Sequence, residues 1–131
     1  MQIENNSLLI SIDSLMEERM LTIKGQQVLL DSDIAQLYQV KIHNLHRKVR
    51  ENKDRFPERF MFTISANELR KKIPSIPAKR KKVYVFTWGG IMMTSGLFRT
   101  QRAIEMSLQL IRYYSKYMKG GIFKMLGEES V

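Results

Sequence analysis

Apolar and polar positions change period along this chain, and the changes predict its elements. The runs MLTIK and QVLL, from Arg19 to Leu30, surround Lys24-Gly25-Gln26. A glycine between two β-capable runs predicts a hairpin of two short strands. Ile34, Leu37 and Tyr38 then recur at helical spacing behind Asp31 or Ser32 as a cap, and Ala35 allows a neighbour to approach closely. This helix is predicted to end near Gln39. A second helix is predicted from about Ile42 to Asn52, with Ile42, Leu45 and Val49 turned inward and Phe56, before Pro57, closing it.

The run FMFTI at 60–64 is aromatic and β-branched, which predicts a strand, and NELRKKI predicts a short helix capped at Asn67. Pro74 and Pro77 break the chain, so AKRKK at 78–82 is expected as a mobile basic loop or hairpin arm. VYVFT at 83–87 predicts a further strand that feeds a helix near Gly90 to Leu97. Thr100 is placed to cap the longest helix, on which Ile104, Leu108, Ile111 and Met118 form one apolar stripe flanked by Ser107, Leu110, Tyr114 and Tyr117. Residues 1–18 are expected as a tail or lead-in, 19–118 as the domain and 119–131 as a C-terminal tail. The fold class expected is α+β: one small domain with a helix-turn-helix core, short β-hairpins and a long C-terminal helix.

Composition narrows the class. At 131 residues one core is the default. No cysteine is present, which excludes a disulfide framework and any thiolate metal site. The start MQIENNSLLISIDSL has no basic region of the signal-peptide kind, so a cytoplasmic protein is expected. The uncharged run at 83–98 is 16 residues long with three glycines, short of the ~20 that a bilayer core needs, and is better read as a buried strand and helix.

Charge is concentrated. Between Lys41 and Lys82 stand 14 Lys and Arg against 4 Asp and Glu, a net of +10, whereas the whole chain carries +9. Such a region implies an anionic partner: nucleic acid first, an anionic membrane surface second. In a helix-turn-helix the first helix braces the second, which enters the major groove. With Ile42 at 0° and about 100° per residue, the outward direction of the second helix is about 150°, where His43, Arg47 and Asn44 point. Arg47 would pair with guanine and Asn44 with adenine, while Lys48 and Arg50 flank the groove. Lys41, His46 and Lys53 complete the candidate contacts on this element, and Lys79, Arg80, Lys81 and Lys82 form a second contact along the backbone or in the minor groove. Gln39 stands at the turn, where a left-handed conformation costs a residue with a β-carbon about 1 kcal/mol.

Other chemistry finds little footing. His43 and His46 are three apart but lack a suitably spaced third ligand, so no metal and no cofactor are expected. Glu51, Asp54, Glu58 and Glu68 make no metal-binding set on one face and no GxxxxGK is present, so no enzymatic activity is expected. Tyr113, Tyr114 and Tyr117 suggest a base-stacking platform, but beside Leu110 and Met118 they read better as core or as the face of a homodimer formed through the last helix. A basic face would also suit an acidic regulatory protein, giving an antirepressor-like module as the alternative to double-stranded DNA binding.

The order KGQQVLLDSDIAQLYQVKIHNLHRKVRENKDRFPERFMF resembles the phage and bacterial KilA-N-related domain called the open reading frame six N-terminal domain, and VFTWGGIMMTSGLFRTQRAIEMSLQLIRYY is similar to its second block. The resemblance covers about Ile23 to Tyr114 and rests on the runs Lys-Gly-Gln, Leu-Asp-x-Asp, Leu-Tyr and Asn-x-x-Arg-Phe-Pro. It implies a winged or KilA-N-like DNA-binding module without catalysis, of the sort found in transcription regulators and antirepressor-like proteins of phages, prophages and bacteria. Departures are Gln39 for the usual glycine, Ile42 for a capping Thr, His46 for Asn, and the basic loop with Trp88-Gly89-Gly90 for a glycine-rich arm and its Thr-Glu-x-Gly sequence. A C-terminal coiled-coil extension is not expected, because Gly120-Gly121 should stop the last helix.

Overall fold

In the computed structural model, which describes residues 11–117, the hairpin forms where its glycine predicts it. Strands β1 (Leu21–Ile23) and β2 (Gln26–Leu30) pair antiparallel with Ile23 opposite Gln26, leaving Lys24 and Gly25 as the turn. Their φ angles are 53° and 77°, and positive values at both central residues give the twist that joins adjacent strands. Strand β4 (Lys82–Thr87) lies between β2 and β3 (Met61–Ser65), so the order is β1-β2-β4-β3 with every pair antiparallel.

Being central, β4 is buried from Val83 onward, and its alternation divides the core in two. Tyr84 and Phe86, with Leu29 of β2, face helices α1 (Ile12–Arg19), α2 (Asp31–Tyr38), α3 (Ile42–Glu51), α5 (Trp88–Met93) and α6 (Gln101–Tyr117). Val83 and Val85 face the other way, where α4 (Ala66–Leu69) and Ile76 close a smaller cluster over Val28, Leu30 and Ile64. The result is one small α+β domain. The uncharged run at 83–98 is divided between β4 and α5, and among the described residues no helix is long and apolar enough to cross a membrane.

Three expectations change and one holds. Residues 12–18, expected in a lead-in, form most of α1: Ser11 Oγ accepts the Ser14 N–H at 3.1 Å, and Ile12, Leu15 and Met16 enter the core at spacings of three and four. Helix α4 is capped by Ser65 instead of Asn67, because the chain turns directly out of β3. Helix α5 begins at Trp88 and ends at Met93, earlier than expected, and passes so close to β3 that a β-carbon on Gly90 would lie 1.9 Å from the Phe60 carbonyl oxygen. On α6 the Thr100 cap forms as predicted, Oγ1 accepting the Ala103 N–H at 3.1 Å.

The face that α6 buries is Ala103, Met106, Leu110 and Tyr114, whereas Ile104, Leu108 and Ile111 stand 48%, 54% and 48% exposed. Tyr114 is core, and Tyr113 stacks on Trp88 at 6.2 Å. Met118, Gly120-Gly121 and the expected tail at 119–131 lie outside the described residues, as do residues 1–10.

Candidate nucleic-acid interface

Helices α2 and α3 are joined by Gln39, Val40 and Lys41. Gln39 adopts the left-handed conformation (φ 56°, ψ 49°), which lets its N–H reach the Gln36 carbonyl at 3.2 Å and the Val40 N–H reach that of Ala35 at 2.9 Å. The elbow is held from behind. The Tyr38 hydroxyl hydrogen-bonds Thr94 Oγ1 at 3.0 Å, and Arg102 Nε donates to the Leu37 carbonyl at 3.1 Å, tying α2 to α5 and α6.

Leu45 and Val49 root α3 in the core and Ile42 is half-buried, so the helix presents the side the angular argument predicts. His43, Arg47 and Arg50 are exposed, Asn44 and Lys48 half-buried, and Lys41 and Lys53 exposed just outside its two ends. Arg47 lies 3.9 Å from Glu51 one turn on, with both side chains more than half exposed. A surface pair of that kind is worth a few tenths of a kcal/mol, roughly, and does not hold the guanidinium. No acidic residue stands in the first turn of α3, so the positive end of the helix dipole adds to this face.

The feature the sequence hid is Asp31. Although it opens α2, it is fully buried and caps nothing: the N–H of Leu30 donates instead to Asp33 Oδ2 at 3.3 Å. Three groups converge on the Asp31 carboxylate. His46 Nε2 donates to Oδ2 at 2.7 Å, Arg80 donates to both oxygens at 3.1 and 2.7 Å, and the Tyr84 N–H donates to Oδ2 at 3.0 Å. The His46 ring also stacks on Tyr84, centroids 3.9 Å apart. Burial alone would raise this carboxyl, but the hydrogen bonds from His46, Arg80 and Tyr84, with the Arg80 charge, hold it below the ordinary aspartate value.

Two residues on, Asp33 shifts the other way. Burial raises it, outweighing Arg19, whose Nη1 lies 2.8 Å away, and the Leu30 N–H. The Leu-Asp-x-Asp run therefore has a physical basis, since each aspartate captures an arginine from a different part of the chain.

Because His46 belongs to α3 and Arg80 to the basic loop, Asp31 brings the two expected contact elements side by side. It also takes two residues out of them. His46 and Arg80 were expected at the anion-facing surface, yet each side chain is only 18% exposed and directed at Asp31, since a buried carboxylate needs charged and hydrogen-bonding partners. Nor does the loop match the expectation of a free arm. Arg70 donates to the carbonyls of Ile76, Pro77, Ala78 and Arg80, at 3.1, 2.6, 2.9 and 2.7 Å, and pins it. Lys79, Lys81 and Lys82 remain exposed, with the Lys82 ammonium 5.9 Å from the centre of the Tyr84 ring. Arg70 was legible only as one of several cations in NELRKKI. Among the described residues no three His, Cys, Asp or Glu are grouped to hold a metal.

A small α+β domain with a cation-bearing helix-turn-helix is the class that this fold and site define. The chain belongs to the ORF6N domain family, whose model matches residues 18–97, from the end of α1 through the sheet, the helix pair and the basic loop to Leu97. Helix α6 lies beyond the matched segment. No curated protein and no solved structure matches the chain.

Proposed function

We propose that this domain is a non-catalytic module that binds double-stranded DNA and acts as a transcription regulator of the phage or prophage kind in the bacterial cytoplasm. The observation that carries the reading is the junction at Asp31, which sets the exposed cations of α3 beside those of the loop at 79–82. In this reading α3 lies in the major groove with Arg47 on guanine and Asn44 on adenine. Lys41, His43, Lys48, Arg50, Lys53, Lys79, Lys81 and Lys82 then hold backbone phosphates. His46 and Arg80 act as positioning residues that fix the angle between helix and loop.

Fluorescence anisotropy on duplex DNA tests this. Saturable binding at low salt is expected, weakening on a log–log plot by about 0.9 per phosphate contacted as salt rises. Absence of saturable binding, or binding indifferent to Arg47→Ala combined with Lys48→Ala, would overturn it. Capture of an acidic regulator that survives nuclease treatment, in place of duplex binding, would favour the antirepressor-like reading instead.

A further inference from the structure

We propose that the outer face of α6 pairs antiparallel with α6 of a second copy of this chain. Ile104, Leu108 and Ile111 are about half exposed although the other large apolar residues of the helix up to Tyr114 are wholly or partly buried. At about 100° per residue these three fall within roughly 60° of one another, a continuous strip with the alternating four-and-three spacing that packed helices share. Arg102 donates to the Leu37 carbonyl away from the strip, while its charge also acts on Glu105 one turn on.

The charges beside the strip select the occupant. Glu105 and Arg112 are both exposed and stand on the same border of the strip. Seven residues apart, they are about 10 Å distant along the axis, beyond the reach at which helix neighbours pair. In an antiparallel pair, like borders meet across the axis. In a parallel pair this border would meet the opposite one, which carries Ser107 and the buried Tyr114 and offers no charge.

With Leu108 against Ile111 of the second copy, and the reverse, a two-fold axis falls midway between them. That register sets Glu105 opposite Arg112 of the second copy, twice. It also lays Ile104 beside the small, exposed Ser115 of the second copy. A strip completed under a two-fold by its own flanking charges is self-complementary, as an isologous interface must be.

Sedimentation equilibrium of the full chain without DNA, over about 1 to 200 μM, tests the pairing. The wild type is expected to show a monomer–dimer equilibrium. Leu108→Glu places a carboxylate in the apolar strip of both copies and should weaken the dimer about 100-fold or more. Arg112→Glu, which sets like charges opposite twice, should weaken it about 5- to 30-fold. Adding Glu105→Arg to Arg112→Glu should restore affinity to within about threefold of wild type, a recovery that general damage to the fold would not give.

Circular dichroism checks that each variant is folded, and if Leu108→Glu is not, the Arg112 pair of variants decides alone. A wild type that stays monomeric throughout would overturn the proposal. So would association that persists in folded Leu108→Glu, or a double exchange that fails to restore it.

Discussion

His46 and Arg80 are neighbours in the chain of Arg47 and Lys79, yet the first two are turned onto the buried Asp31 and the second two stand in solvent. All four belong to the same cationic stretch. What separates them is access to a buried carboxylate, Glu51 beside Arg47 being exposed, and a charge count does not distinguish cations that build an interface from cations that meet its ligand. The inner group should govern stability and the outer group affinity.

The largest expected effect tests the inner group. Asp31→Ala removes the acceptor shared by three donors and strands a mostly buried guanidinium, so it should cost about 3 kcal/mol of unfolding free energy. Chemical denaturation measures it, and a loss under about 1 kcal/mol would mean the junction is not what positions α3 and the loop.

Next is the outer group: Arg47→Ala with Lys48→Ala should lower duplex affinity about 10- to 100-fold while changing stability by less than about 0.5 kcal/mol. A matching fall in stability would erase the distinction between the groups.

Lys81→Ala sharpens it further. As an exposed residue on the loop it should reduce the salt dependence of duplex binding by about one phosphate contact, with no change in which sequences are preferred.

The smallest effect separates the two aspartates by pH. Asp31 has a lowered carboxyl, so its contribution to stability is complete above the ordinary aspartate value and is lost as pH falls through the lower value of the folded state. Asp33 has a raised carboxyl, so its contribution is complete below the ordinary value and is lost as pH rises through the folded value. Asp31→Asn should therefore flatten the acid limb of a stability–pH curve, and Asp33→Asn should flatten the gentle opposite slope just above the ordinary aspartate range. Identical curves for the two variants would show that the carboxylates share one environment.

Much of the fold was legible because it is local. The Lys24-Gly25 turn, the left-handed Gln39, the Thr100 cap and the strand at 83–87 follow from turn chemistry and side-chain period, which need no knowledge of the rest of the molecule. The outward direction of Arg47 was legible in the same way, from Leu45 and Val49 one turn apart. On α6 the same reasoning is ambiguous. Ile104, Leu108 and Ile111 satisfy helical spacing as well as Ala103, Met106, Leu110 and Tyr114, and only packing against α1, α2 and α5 selects the second set. Asp31 was misread as a cap because its partners lie 15, 49 and 53 residues away, where no local pattern reaches.

By itself the sequence determined where the chain turns, which segments after Arg19 are helix or strand to within a few residues, and that its positive charge lies in one stretch. Periodicity and turn residues act over a few neighbours and carry that information directly. The tertiary structure decided which of those charges face outward and which lock the helix pair to the loop. A buried carboxylate must gather its partners from wherever the sheet brings them, and here β4 delivers Tyr84 and the loop before it delivers Arg80 to the first residue of α2.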